Sequence, residues 1–207
     1  LYVADDVCLD DYSKLKAFQN LKVLRLPNQN ISDISFVSYL TELEEIDFSH
    51  NSIQNIEPLE KLEHLQILDL SYNDISDIHA LKNTISLIEL YLDFNKEISN
   101  LGDISFLNNL EALSIDGTDV EDLSPVSNLT SIYLLCFNSC KVRDITCLSE
   151  LTEMFYLDMR YNSITNIDSL SKMHELNFLY LAGNPITDNS VLYSLEHISP
   201  EIAMEKP

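Results

Sequence analysis

The spacing of apolar residues in the stretch LQILDLSYNDISDI, from Leu65 to Ile78, recurs along nearly the whole chain. Leu65, Leu68, Leu70, Ile75 and Ile78 are apolar, and Asn73 separates the strand-like residues from the next apolar one. This pattern, LxxLxLxxNxI, is neither helical nor strictly alternating. Equivalent positions fall at Leu21, Leu43, Leu65, Leu87, Leu110, Ile132, Met154 and Leu176, at intervals of 22 residues broken once by an interval of 23. A fixed period of this length marks a solenoid: one unit cannot bury its apolar side alone and must stack on its neighbours.

Within LxxLxL the fourth and sixth residues point inward and their neighbours outward, as strand alternation requires. Each coil therefore contributes one short strand to a parallel sheet, and eight coils at about 4.8 Å make an arc roughly 38 Å long. Leu24, Ile46, Leu68, Leu90, Leu113, Leu135, Leu157 and Leu179 form one predicted ladder; Leu26, Phe48, Leu70, Leu92, Ile115, Phe137, Met159 and Leu181 form the next. The column Gln29, Asn51, Asn73, Asn95, Thr118, Cys140, Asn162 and Asn184 follows. A buried amide there bonds the backbone groups that the turn leaves unpaired. Thr118 and Cys140 interrupt that column, so it is weakest in the fifth and sixth coils. A second polar column, Asp33, Asn55, Asp77, Asn100, Asp122, Asp144 and Asn166, precedes the outer segments. Asp and Asn accept backbone N–H bonds at the start of a helical turn, and Pro58 and Pro125 sit just inside, where a missing N–H costs nothing. About ten residues remain for each outer segment, enough for 3₁₀ or irregular turns. The aspartates resemble calcium ligands on paper, but one per coil favours capping. The extra residue between Asn95 and Ile98 predicts a local bulge of that turn.

Residues 1–20 read as an incomplete N-terminal coil or cap, or a cut through a longer array. Leu9, Tyr12, Leu15 and Phe18 keep the spacing that later coils show after their asparagine, and Tyr2 and Ala4 fall at strand-core positions. Residues 21–186 hold the eight repeats, and 187–207 a C-terminal cap and tail. Val191, Leu192, Leu195 and Ile198 recur at helical spacing, so a helix is expected from Asp188 to Ile198, N-capped by Asp188 or Asn189 and stopped by Pro200. The tail from Glu201 to Pro207 is expected to be loose.

The strings LTELEEIDFSHNSIQNIEPLEKL, LQILDLSYNDISDIHAL and LNFLYLAGNPITD resemble leucine-rich repeats of the 22-residue kind, similar to those of internalins and of a regulatory subunit of type 1 protein phosphatase. The likeness covers about residues 21–190. It implies an α/β solenoid: a horseshoe arc with a parallel concave β-sheet, a 3₁₀ or irregular convex side and a C-terminal capping helix. It also implies that Thr or Cys is tolerated in the asparagine column, which gives Cys140 a structural reading. The same fold serves many partners, so the resemblance implies a protein-binding role without naming one.

The 34 acidic and 12 basic residues give a formal charge of −22. That disfavours nucleic acid and anionic membranes, which demand a basic footprint. It fits either a solvated surface or a basic protein partner reached by electrostatic steering. No apolar run approaches the roughly 18 residues of a membrane span. Cys8, Cys136, Cys140 and Cys147 lack zinc spacing. Cys136 and Cys140 face opposite ways, whereas a Cys140–Cys147 bridge across a turn stays open. Unpaired thiols favour a reducing, cytoplasmic setting, with a secreted or surface location as the alternative. Asn30-Ile-Ser32 and Asn128-Leu-Thr130 fit the glycosylation pattern, which also recurs by chance.

The third, fifth, seventh and eighth residues of each motif are expected on the open concave side. They carry aromatic Tyr72, Tyr91, Phe94, Tyr156, Tyr161, Phe178 and Tyr180, and acidic Glu45, Asp47, Asp69, Glu89, Asp93, Asp116 and Asp158, against Arg25 and Arg160. Aromatics flanked by charge anchor protein interfaces, although tyrosines on neighbouring strands also hold sheets together. The candidate partner-binding set is Asp47, Asp69, Tyr72, Glu89, Tyr91, Asp93, Phe94, Tyr156, Asp158, Tyr161, Phe178 and Tyr180. Ala112, Ser114 and Gly117 separate two aromatic clusters with room for a protruding side chain. His50, His64, His79, His174 and His197 are scattered over different coils, and no phosphate loop, GxSxG or HExxH occurs. His50 beside Asp47 and Asp69 is the one conceivable metal or base site, with no nucleophile at hand. The reading is therefore a non-enzymatic, monomeric interaction module without cofactor, regulatory or scaffolding in role, or else an internalin-like protein that binds a host receptor.

Overall fold

The computed structural model describes residues 11–195, 197 and 198. Tyr2, Ala4, Cys8, Leu9, Pro200 and the tail lie outside them. Eight three-residue strands form one parallel sheet in chain order: β1 (Val23–Arg25), β2 (Glu45–Asp47), β3 (Ile67–Asp69), β4 (Glu89–Tyr91), β5 (Ala112–Ser114), β6 (Leu134–Cys136), β7 (Tyr156–Asp158) and β8 (Phe178–Tyr180). Register follows the repeat without slippage: Leu24 pairs with Ile46, Ile46 with Leu68, and so on to Leu157 with Leu179. Both predicted ladders lie in the core, every member at most 4% exposed. Burial of this kind contributes about 2 kcal/mol per large aliphatic side chain, and none of it exists for a coil in isolation.

The asparagine column is built as its spacing requires. Asn73 Oδ1 accepts from Ile53 N at 2.9 Å, while its Nδ2 donates to Phe48 O at 3.0 Å and Leu70 O at 2.9 Å. One side chain thus bonds the backbone of two coils. Asn51, Asn95, Asn162 and Asn184 repeat the arrangement. Thr118 and Cys140 keep a smaller share: the Thr118 hydroxyl donates to Ile115 O at 2.8 Å and the Cys140 thiol lies 3.2 Å from the same oxygen. The single insertion explains why a threonine suffices at 118. Lys96 and Glu97 make an extra turn in which Ile98 N donates to Asn95 O at 3.1 Å. The N–H that the next coil's amide caps elsewhere is closed here within its own coil.

The outer side consists of 3₁₀ turns, from Tyr12–Ala17 to Ser190–Ser194. All seven residues of the second polar column cap them: Asp33, Asn55, Asp77, Asn100, Asp122, Asp144 and Asn166 each accept, through Oδ1, from the backbone N–H two residues on, at 2.7 to 2.8 Å. Asp11 and Asp188 do the same at 2.9 Å. The C-terminal element differs from expectation. In place of an α-helix from Asp188 to Ile198 there is a five-residue 3₁₀ turn, Ser190–Ser194, capped through Asp188. It ends because Leu195 turns to extended backbone, with ψ at 110°. Leu192 and Leu195 are still buried, so the turn covers the last coil as each outer turn covers its own. At the other end Leu15 is buried and Tyr12 stacks on Phe36 at 5.9 Å, but Phe18, expected in the same stack, is 57% exposed.

Replacing Asn73 with Leu strands the Ile53 N–H in a dry interior and removes one of two amide donors from each of Phe48 O and Leu70 O, which keep Asn51 and Asn95. The expected loss in urea unfolding is about 2–3 kcal/mol, against about 1 kcal/mol for Thr118→Val, which strands no N–H.

Candidate functional site

The concave face is made of strand residues that point away from the ladders and of the seventh and eighth motif residues, which follow the second ladder position. Its carboxylates are arranged by backbone need. Curvature leaves the N–H of the seventh motif residue without a carbonyl, and an aspartate closes it. Asp47 Oδ1 accepts from Ser49 N at 3.0 Å, and Asp69 Oδ1 from Ser71 N at 2.8 Å. In the fourth and fifth coils the donor lies one coil further along: Asp93 Oδ1 accepts from Asp116 N at 2.7 Å, and Asp116 Oδ1 from Asn138 N at 2.6 Å. The Ser114 hydroxyl also donates to Asp93.

Two ion pairs occur on this face among the described residues, Arg25 with Glu45 and Arg160 with Asp158. Asp158 is only 3% exposed and is bound by two guanidinium nitrogens, so it is committed to Arg160. Asp47, Asp69, Asp93 and Asp116 lie between the two pairs. Burial, joined by the charges of Asp93 and Asp158, pushes the Asp116 carboxyl up to about 7 despite its bond from Asn138 and the Arg160 charge. Burial also raises Asp69 and Asp93. Cys136 beside them is pushed up to about 12 by burial and by the charges of Asp116, Asp158 and Asp93, which holds its thiol neutral.

The aromatics divide into two groups with different roles. The eighth motif residue has positive φ in every coil: Asn28, His50, Tyr72, Phe94, Gly117, Ser139, Tyr161 and Gly183 lie between 52° and 80°. Left-handed backbone is costly for a bulky residue, and ring stacking offsets part of that cost. His50 stacks on Tyr72 at 4.2 Å and Tyr72 on Phe94 at 4.4 Å. Phe94 then lies on Gly117, where an added Cβ would come within 2.8 Å of its ring, and Tyr161 lies likewise on Gly183. The room expected at Gly117 is thus filled by Phe94, and Ala112 and Ser114 are themselves buried. His50 is a member of this ring stack.

The second group spans β6 to β8. Phe178 meets Phe155 at 5.4 Å and Tyr156 at 5.8 Å, and Tyr156 meets Tyr180 at 5.6 Å. Phe155 is 41% and Phe178 43% exposed, with Tyr133 at 40% in the preceding coil. Sequence reasoning missed Tyr133 and Phe155, which occupy the second motif position; the shared position one repeat apart was the available signal. Tyr180 is half-buried under the Arg160 guanidinium, 5.2 Å from its ring centre. Tyr91 is half-buried and donates to Glu89 Oε2 at 2.8 Å. Cys136, Cys140 and Cys147 are unbridged, and no group of three His, Cys, Asp or Glu among the described residues is placed to hold a metal. Nor is any described helix long and apolar enough to cross a membrane.

A profile of leucine-rich repeats in two copies matches residues 19–61, 41–83 and 152–194, together just over half of the chain. The protein belongs to the leucine-rich repeat family. Comparison with curated proteins returns no match. Among solved structures, internalin C2 of Listeria monocytogenes superimposes with a TM-score of 0.84 at 27% identity, over 88% of this chain and 80% of that one. Internalin F of the same organism gives 0.67 at 26%, over 96% and 71%. A plant peptide hormone receptor, RGFR1, solved in complex with RGF2, gives 0.74 at 21%, over 86% and 31%, a likeness of fold alone.

Asp116 sets a pH dependence whose sign follows from its raised carboxyl. Unfolded, it titrates near 3.8; folded, near 7. The stability it adds is full below the lower value and lost as pH rises through the upper one. Asp69 and Asp93 act in the same sense. Asp116→Asn keeps the acceptor for Asn138 N and removes the titration. In urea melts it gains on the native protein between pH 5 and pH 8 by about 1–2 kcal/mol, less than the shift alone implies because solvent screens the carboxylate.

Proposed function

We propose that this chain is a non-catalytic interaction module whose concave sheet binds a protein partner through a basic surface. The observation that carries the reading is the coexistence, on one face, of carboxylates without a cationic partner and of exposed aromatic rings. Asp47, Asp69, Asp93 and Asp116 lie between the two ion-paired arginines, and each spends Oδ1 on a backbone N–H. A basic partner relieves their mutual repulsion, while Tyr72, Phe94, Tyr161 and Phe178, 39% to 44% exposed, offer apolar contact. Asp158 serves Arg160, and Tyr91, Tyr156 and Tyr180 form a half-buried floor. The role is that of a regulatory or scaffolding subunit, and unbridged Cys136, Cys140 and Cys147 favour a reducing compartment.

The likeness to internalins C2 and F favours a second reading, a secreted or surface protein that binds a receptor of another organism. Both readings use the same face and differ in compartment.

Affinity capture with the native chain and with Tyr91→Ala/Tyr180→Ala tests the shared claim. Partners of the native protein should be lost by the variant while its thermal melt stays cooperative. Raising salt from about 0.1 M, where charges act over about 10 Å, to about 1 M should weaken capture. Partners held equally by both proteins would contradict it.

A further inference from the structure

The two features of the concave face lie apart along the stack. The unpaired acids are centred on the third to fifth coils, where Asp69, Asp93 and Asp116 succeed one another. The exposed rings of Phe155 and Phe178 mark the seventh and eighth. The floor beside Asp116 is closed, since Ala112 and Ser114 are buried and Phe94 covers Gly117, and the sixth coil between the two features presents half-buried Leu134, Cys136 and Asn138. A ligand that uses both features must cross about three strands, roughly 14 Å at 4.8 Å each. Extended backbone covers that distance in about four residues, and residues four apart in a strand face the same way. Arg25 and Arg160 are already paired with Glu45 and Asp158, so none of the acids between has an ion pair of its own, and the more distant Arg160 charge offsets only part of the rise at Asp116.

We propose that the partner presents an extended segment carrying one Lys or Arg and, about four residues away, one aromatic or large aliphatic side chain. The cation sits over Asp69, Asp93 and Asp116, and the apolar group packs against Phe155, Tyr156 and Phe178. This inference rests on the concave-face reading and narrows it to one kind of ligand. The raised carboxyls of the acid row support it, because a bound cation restores the stabilisation that burial removes.

The test is selection of random dodecapeptides displayed on phage against the full chain. Parallel selections use Tyr91→Ala/Tyr180→Ala, Asp93→Asn/Asp116→Asn and Phe155→Ser/Phe178→Ser. The Asn variants keep the Oδ1 acceptors, and Phe155 and Phe178 are exposed, so all are checked for native melting. The expected result is enrichment of peptides with Lys or Arg and an apolar residue about four positions apart, in either order. Their affinity should fall about tenfold in each of the acid and phenylalanine variants. Peptides that depend on Tyr91 and Tyr180 but lack this pattern would overturn the inference and leave the concave-face reading intact. Peptides indifferent to every variant would overturn both. No enrichment at all would overturn the extended segment, leaving the broader reading to the capture experiment.

Discussion

A buried side-chain amide that bonds two coils at once is the contact on which the rest of the structure depends. A leucine ladder supplies most of the burial, but apolar packing is non-directional and tolerates sliding of one coil over the next. The Asn73 amide allows no such sliding. Its bonds reach Ile53 N, Phe48 O, Leu70 O and Ser71 O, groups fixed in two successive coils. A slip of one residue would strand all of them away from water, where each costs about 1–3 kcal/mol. Register along the sheet, and hence the position of every concave side chain, follows from this column. Its interruption at Thr118 is compensated, because the coil with the extra residue closes its own N–H at Ile98; at Cys140 the thiol keeps the contact to Ile115 O.

The same backbone accounting shapes the functional face. Turning the chain out of each strand leaves an N–H without a carbonyl, and Asp47, Asp69, Asp93, Asp116 and Asp158 close these gaps. It also forces the eighth residue into left-handed backbone, which the stack from His50 through Tyr72 to Phe94 makes tolerable. The acids and rings of this face are therefore part of the fold before they are anything else. The binding role proposed for them rests on the fact that solving the backbone problem with carboxylates leaves Asp47, Asp69, Asp93 and Asp116 without an ion pair.

Periodicity made the architecture legible. The sheet, both ladders, the asparagine column and the capping column stand where a period of 22 places them, since each depends only on position within the repeat. Val191, Leu192, Leu195 and Ile198 have the spacing of an α-helix, but a 3₁₀ turn stacked on a 3₁₀ turn buries Leu192 and Leu195 equally well. The site was less legible. Alternation says that a residue leaves the core but not where its ring goes next, so Phe94 read as an anchor beside a gap, although it fills that gap at Gly117. Two signals were present and unused: Asp-x-Ser at Asp47 and Asp69, which marks a carboxylate bonding the second N–H along, and an aromatic followed one repeat later by glycine, at Phe94 with Gly117 and Tyr161 with Gly183.

Amide hydrogen exchange followed by NMR tests the amide column most directly. Ile53, Ile75, Val142 and Ile164 donate their N–H to asparagine side chains and belong to no strand. If that column holds the coils in register, these amides exchange as slowly as those of Leu68 and Leu157 in the centre of the sheet. Exchange near the rate of an unstructured peptide at these four positions, with the strand amides still protected, would contradict the account.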